Sequence, residues 1–222
     1  LLQETFGDQF KLPPLRSTLG PNRKSVQKHP LSMLAIGDIN FDYIYDKLPE
    51  DFFTDLLPPG KKVKGEIYRD VGGTAVNFAK GARQAGFEQC YVAGVRGNDA
   101  LSQEIVNQML KKGITPLLQP DPILTSSIAI ILRNVAKEDT SITLTDARQS
   151  LPDIVVDQAK ETIRLSDVFY CSGYCLIDRN RRKNALKMLK DAHESKSTVV
   201  LDIVVGMDLK AYENTLHDDA RK

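Results

Sequence analysis

The most informative stretch of the sequence runs from Val71 to Gly86 and reads Val-Gly-Gly-Thr-Ala-Val-Asn-Phe-Ala-Lys-Gly-Ala-Arg-Gln-Ala-Gly. Gly72 and Gly73 have no Cβ atom, so the backbone can bend sharply there and a ligand can approach closely. Thr74 is placed to cap a helix, and small residues recur after it at helical spacing. This stretch predicts a glycine turn followed by a helix that packs closely on a sheet and ends at Gly86.

Asn77 is the polar exception in this helix, and it lies in the first turn beside the two glycines. A helix start carries unpaired N–H groups and a partial positive charge. A glycine pair with an asparagine beside it therefore predicts a site that could hold a hydroxyl-rich ligand. The plainer alternative is a glycine-rich turn before an ordinary packed helix, because a motif alone is only a hypothesis.

A second candidate site element follows the short apolar run Met33–Gly37, which is suited to a strand buried on both faces. Asn40 and Asp42 come after this run and alternate with apolar neighbours, so both could project to one side. Polar residues at the carboxyl end of a parallel strand lie where open α/β sheets bind ligands. An amide and a carboxylate together can bind several sugar hydroxyls. The alternative is a turn with a capping aspartate.

The glycine pair, the asparagine and the small residues around it resemble the first signature of the ribokinase-like PfkB carbohydrate kinases. The family's first strand likewise ends in Asn-x-Asp or a close variant, and its aspartate, which matches Asp42 here, holds substrate hydroxyls. Two departures are visible: the family's next glycine would fall at Arg96, and Asp146-Ala147-Arg148 stands where many members carry Gly-Ala-Asn. The residues that match the signature are Gly72, Gly73, Ala75, Asn77, Ala79 and Gly86.

The rest of the chain alternates strand-like and helix-like segments, which is typical of a mostly parallel sheet flanked by helices. Strand-like segments within about 43–70 and 125–145 predict a small β lid, as in the family. We therefore expect an N-terminal extension over residues 1–30 and an incomplete ribokinase-like α/β domain over 31–222.

Composition excludes several classes of function. A net charge of +1 gives no electrostatic reason to expect nucleic acid or an anionic membrane as a partner. No apolar run approaches the roughly 18 residues of a membrane span. The three cysteines are expected to be buried reduced thiols of a cytoplasmic protein, and their spacing predicts no metal site. The basic run Arg179–Lys183 is expected to be a solvated helix start.

The resemblance implies transfer of the γ-phosphoryl group of ATP, with Mg²⁺, to a hydroxymethyl group. It also implies a late aspartate base in a Gly-Ala-Gly-Asp turn and an Asn-x-x-Glu stretch linked with Mg²⁺, and neither occurs in the 222 residues. We therefore predict no catalytic residue in this chain and expect the nucleotide-binding half beyond Lys222. The predicted substrate-binding residues are Asn40, Asp42, Gly72, Gly73, Thr74 and Asn77.

Two hypotheses follow. In the first, the chain is the sugar- or nucleoside-binding part of a kinase; in the second, it is a binding or regulatory module without phosphoryl transfer. A dinucleotide-binding Rossmann protein fits poorly, because the glycine pattern is not Gly-x-Gly-x-x-Gly and does not directly follow the first strand. Phe41, Tyr43 and Tyr68 could stack equally well on a base or on a sugar ring. An exposed edge of the lid sheet could also pair across a homodimer.

Overall fold

A computed structural model describes residues 29–53, 62–144, 147 and 150–203. Most of the expected extension, the residues Asp146 and Arg148, and the chain after residue 203 lie outside these ranges. The described strands are β1 Ser32–Ile36, β2 Asn40–Leu48, β3 Glu66–Gly72, β4 Gln89–Arg96, β5 Ile114–Pro120, β6 Ile128–Asn134, β7 Asp139–Leu144, β8 Val168–Ser172 and β9 Thr198–Asp202. The described helices are α1 Thr74–Gln84, α2 Ala100–Lys111, α3 Asp153–Leu165, α4 Tyr174–Ile177 and α5 Arg179–Glu194, and a 3₁₀ turn spans Glu50–Phe53.

The large sheet has the order β5-β4-β1-β8-β9, and every neighbouring pair in it is parallel. All five residues of β1 are buried, because the strand lies in the middle of the sheet and helices cover both faces. Alternate residues of β1 face opposite sides. Met33 and Ala35 pack with α1 and α2, whereas Leu34 and Ile36 pack with α3 and α5. The predicted parallel sheet flanked by helices is confirmed.

The small sheet has the order β3-β2-β6-β7. Strands β2 and β3 are antiparallel, β2 and β6 are parallel, and β6 and β7 form the predicted antiparallel hairpin. The sequence did not reveal β2. Residues 40–42 were expected to follow the end of the first strand, whereas Asn40 begins a nine-residue strand of the small sheet. Strand β2 pairs with β3 and β6, which come later in the chain, so the pairing leaves no local signal.

The start of α1 also differs from expectation. Thr74 was predicted as the N-cap, but Gly73 occupies that position and no side chain caps the helix. The Thr74 hydroxyl instead accepts a hydrogen bond of 2.9 Å from the backbone N–H of Asp38, just after β1. Gly72 is the last residue of β3. The turn from β3 into α1 is therefore held by contact with the end of β1.

The three cysteines, Cys90, Cys171 and Cys175, are buried free thiols, as predicted. None of the helices in the described ranges is long and apolar enough to cross a lipid bilayer.

Candidate functional site

The candidate site lies at the carboxyl end of the central strand β1. From there the chain enters the small sheet through β2, returns through β3, and starts α1 against the large sheet. The two neighbours of β1, strands β4 and β8, belong to halves of the sheet that extend in opposite directions. Open α/β sheets bind ligands in the crevice at such a switch point.

Asn40 and Asp42 lie on the same face of β2, because side chains two residues apart point to the same side of a strand. Their residues are only 7% and 8% exposed, respectively. The Oδ1 atoms of both side chains are buried without a hydrogen-bond partner in the described structure. A buried unpaired acceptor is unfavourable by about 1–3 kcal/mol. This pair can therefore accept hydrogen bonds from a ligand without first breaking bonds within the protein.

Both glycines of the turn allow close contact between chain segments. A Cβ atom on Gly72 would lie 1.8 Å from Oδ2 of Asp42, so the carboxylate occupies that space. Gly73 has a φ of 88°, and a Cβ atom there would lie 2.3 Å from the carbonyl oxygen of Asp38. Because of the two glycines, the turn contacts Asp42 on one side and Asp38, just after β1, on the other.

The side chain of Asn77 is in the exposed part of the first turn of α1, next to a lysine that the sequence analysis did not select. Lys80 Nζ lies 3.4 Å from Asn77 Oδ1 and 2.8 Å from Asp70 Oδ2, and it also donates to the carbonyl of Val71. Asp70 forms a second ion pair of 2.8 Å with Lys112. Lys80 is three residues after Asn77, a helical spacing that could have indicated the contact.

The charges around Asp42 oppose one another. Burial raises the pKa of Asp42 to about 6; nearby Lys80 lowers it in part, and Asp70 raises it further. Burial alone would also raise the pKa of Asp70, but hydrogen bonds from Lys112 and Lys80 outweigh it and hold that pKa below its usual value. Near neutral pH Asp42 is therefore mostly ionised and accepts hydrogen bonds, yet it takes up a proton in mildly acidic solution.

For Arg181 the prediction of a solvated side chain is wrong. The basic run at 179–183 was expected to be solvated, but the side chains of Arg181 and Asp38 are 7% and 8% exposed and form an ion pair of 2.7 Å. The two residues are 143 positions apart in sequence. No local pattern could have revealed the contact, because it forms only when α5 packs on β8 and β9 and its first turn meets Asp38, just after β1.

A cavity of about 530 Å³ opens beside the start of α1, a size typical of small-molecule pockets. Within it, the rings of Phe78 and Tyr170 stack with centroids 4.0 Å apart. The Tyr170 hydroxyl donates a 2.9 Å hydrogen bond to Asp202 Oδ2. The residues that line the cavity are Thr74, Asn77, Phe78, Tyr170, Val200, Leu201 and Asp202.

Of the three aromatic residues proposed to stack on a ligand, two face away from the predicted site. Phe41 and Tyr43 alternate with Asp42, so they lie on the opposite face of β2, where Phe41 is buried in the core. Tyr68 lies opposite Ile44 in the β2–β3 ladder, on the same face as Asp42, and is partly exposed. Only Tyr68 of these three can border a ligand held by Asp42.

Within the described part of the chain, no three His, Cys, Asp or Glu side chains are grouped closely enough to hold a metal ion. Asp42 is the one carboxylate among the predicted site residues, so a Mg²⁺ ion held there would take further oxygen ligands, such as the phosphates of ATP.

No protein-family model and no curated protein sequence matches the chain, whereas solved structures do. A ribokinase from Giardia lamblia is 16% identical to this chain with a TM-score of 0.62, and the match covers 81% of this chain and 53% of the ribokinase. An adenosine kinase from Sinorhizobium meliloti is 19% identical with a TM-score of 0.63, and the match covers 78% of this chain and 56% of that kinase. A fructokinase from Xylella fastidiosa with bound ATP is 13% identical with a TM-score of 0.62, and the match covers 80% of this chain and 53% of the fructokinase. The chain shares their fold and spans about half their length.

Proposed function

We propose that this chain, which has the ribokinase-like fold, is the substrate-binding part of an ATP-dependent kinase that phosphorylates a hydroxymethyl group of a sugar or nucleoside. The single observation that carries the proposal is the pair of buried, unpaired Oδ1 atoms of Asn40 and Asp42 at the carboxyl end of β1. The names of the structural relatives, a ribokinase, an adenosine kinase and a fructokinase, support this substrate class.

Each predicted residue has a proposed role in holding the substrate. Ionised Asp42 and the amide of Asn40 accept hydrogen bonds from ligand hydroxyls. Asn77, at the start of α1, binds a further hydroxyl of the ligand. Gly72 makes room for the Asp42 carboxylate, and Gly73 lets the turn pack on the carbonyl of Asp38, so the two glycines act by placing the groups that hold the substrate. Thr74 lines the cavity and also anchors Asp38. Binding in this geometry would hold the hydroxymethyl group still for transfer.

ATP and Mg²⁺ would supply the phosphoryl group and the positive charge that stabilises its transfer. The support for them is the family resemblance and the fructokinase relative with bound ATP. The buried reduced thiols also fit a cytoplasmic location, which we propose for the protein.

The test is calorimetric titration of the full-length protein with pentoses, hexoses and nucleosides, with and without MgATP, followed by mass spectrometry of the products. Asp42→Asn is expected to abolish sugar or nucleoside binding. Asp46→Asn is the matched control, since Asp46 lies four residues along the same face of β2. A phosphorylated product supports the kinase; binding without any product supports the regulatory module. Full affinity in Asp42→Asn contradicts the site itself.

A homodimer through the small sheet is a further part of the proposal. The face opposite Asn40 and Asp42 exposes several large apolar side chains, and exposed apolar patches often mark interfaces. They are Tyr45, Ile67, Ile142 and Leu144. Sedimentation should show a dimer that Ile142→Glu converts to a monomer, whereas Ser141→Glu on the other face of β7 leaves it intact. A wild-type monomer contradicts this part.

A further inference from the structure

We propose that Arg181 is a positioning residue of the hydroxyl-binding site and that it acts through Asp38. The identity of the ligand rests on the proposed function, whereas the contact between Arg181 and Asp38 is seen in the structure itself. Arg181 Nη1 donates to Asp38 Oδ1 at 2.7 Å, with both side chains almost fully buried. Its Nη2 donates to the carbonyl of Tyr174 at 3.1 Å, and its Nε lies 3.3 Å from Asp178 Oδ2.

These contacts fix the orientation of the guanidinium group. Tyr174 belongs to α4, and Asp178 is the residue between α4 and α5. Two hydrogen bonds, to Asp38 and to the carbonyl of Tyr174, therefore orient the guanidinium group, and the carboxylate of Asp178 attracts it without a hydrogen bond to Nε. The planar guanidinium group of an arginine holds its hydrogen-bond partners in a fixed geometry, whereas the ammonium group of a lysine is flexible. The carboxylate of Asp38 is therefore fixed relative to the helices on one side of the large sheet.

The backbone of Asp38 is in turn the support for the start of α1. Its N–H donates to Thr74 Oγ1 at 2.9 Å, and its carbonyl accepts from the N–H of Ala75 at 3.2 Å. The backbone of Gly73 touches the same carbonyl so closely that a Cβ atom would not fit. Asp38 thus lies between Arg181 on one side and the turn of the candidate site on the other.

Both parts of the site depend on this residue. Asn40 follows Asp38 by two positions, and Asn77 lies one helical turn after Thr74. If Asp38 shifts, the amide of Asn40 and the start of α1 both move relative to Asp42. Arg181 therefore affects ligand affinity without itself touching the ligand.

The test compares Arg181→Lys and Arg181→Met with Arg182→Lys in the full-length protein. Arg182 is the matched control, because it donates to the carbonyls of Leu176 and Ile177 at the same helix junction. Hydrogen exchange followed by NMR measures the exchange rates of the backbone amides of Asp38 and Ala75, whose hydrogen bonds hold the turn. We expect at least tenfold faster exchange of both amides in the Arg181 variants only.

The second readout is the dissociation constant for whichever pentose, hexose or nucleoside binds wild-type protein most tightly. It should rise at least tenfold in Arg181→Lys and stay within twofold in Arg182→Lys, measured where both variants are fully folded. If Arg181→Met does not fold, Asp38→Asn takes its place. The asparagine keeps an oxygen that can accept from Arg181, so it should speed exchange of the Ala75 amide less than Arg181→Lys does.

Unchanged exchange of both amides in Arg181→Lys overturns the proposal, whatever the ligand result. So does an effect of Arg182→Lys equal to that of Arg181→Lys, since that would reflect the stability of the helix junction alone. Faster exchange together with no ligand binding by wild-type protein supports positioning of the turn and contradicts the proposed function instead.

Discussion

The carboxylate of Asp42 lies where a side chain of Gly72 would be: a Cβ atom at position 72 would stand 1.8 Å from Oδ2 and 2.6 Å from Cγ of Asp42. In the ladder between β2 and β3, Gly72 is paired with Asn40 and Asp42 with Asp70. The contact is therefore diagonal across the two strands. It fixes the carboxylate directly beside the backbone of the glycine turn.

Gly72→Ala is expected to displace the Asp42 carboxylate and weaken ligand binding at least tenfold. Overpacking of this kind also destabilises a fold by about 1–3 kcal/mol. Calorimetry and urea unfolding measure the two effects. Gly81→Ala is the control, because a Cβ atom there meets no atom within 4 Å; in a helix it should stabilise by about 0.4–1 kcal/mol. Wild-type affinity in Gly72→Ala would contradict the contact.

Ligand affinity is expected to depend on pH through Asp42, whose pKa burial raises to about 6. Above this pH the ionised carboxylate accepts hydroxyl hydrogen bonds; below it the protonated group accepts them less well. The association constant should therefore fall as pH drops through 6, by up to about tenfold per unit. Titrations with ligand between about pH 5 and pH 8, roughly one unit below and two units above that pKa, measure this change in the association constant. A profile flat through this window rules the role out.

Asp42→Asn is expected to make the protein more stable at pH 8 while removing ligand binding. The folded pKa of about 6 lies above the ordinary value of 3.8, so the folded state holds the proton more tightly and stability falls as pH rises between these values. The ionised carboxylate then destabilises by up to about 3 kcal/mol. Because a buried amide also lacks partners, we expect a gain of about 1–2 kcal/mol. Urea unfolding at pH 8 that shows no gain contradicts the raised pKa.

Asp70 connects β3 to α1 and to the C-terminal end of α2 through ion pairs of 2.8 Å with Lys80 and with Lys112, the residue after α2. These groups are partly exposed, so Asp70→Asn should destabilise by only about 1 kcal/mol. Since the pKa of Asp70 is lowered in the folded state, this contribution is present above the ordinary carboxyl pKa and is lost as pH falls through the lowered value.

Thermal unfolding at neutral and acidic pH measures the effect of Asp70→Asn. The control is Glu66→Gln in the pair with Lys47, whose side chains are 63% and 59% exposed; it should change stability by less than about 0.5 kcal/mol. Equal losses in the two variants would mean that the Asp70 pairs act as ordinary surface contacts.

Tyr170→Phe removes the 2.9 Å hydrogen bond to Asp202 but leaves the ring that stacks on Phe78. Burial is the main cause that raises the pKa of Tyr170, and the hydrogen bond to Asp202 raises it further. The hydroxyl therefore stays protonated and donates throughout the neutral range. We expect a loss of about 1 kcal/mol in urea unfolding. Tyr91→Phe, which removes only a 3.4 Å contact with Gln89, should be nearly neutral. No difference between the variants contradicts a strong bond at the cavity wall.

The sequence predicted much of the fold because the relevant signals are local. The buried strand at 33–37 is a continuous apolar run, and α1 follows from small residues at helical spacing. The shared face of Asn40 and Asp42 follows from strand alternation alone, although the strand was assigned to the wrong sheet. Lys80 could also have been found, since a residue three positions after Asn77 is its neighbour on a helix.

Local spacing along the chain specifies the alternation of strands and helices, the polar pair and the glycine turn, because each depends on residues close together in sequence. The contacts that those residues make come from the packing of distant segments. That packing forms β2 from backbone pairing with β3 and β6, uses Thr74 to hold Asp38 rather than cap a helix, and buries Arg181 against Asp38. These outcomes depend on hydrogen bonds and burial between segments up to 143 residues apart, for which local periodicity carries no signal.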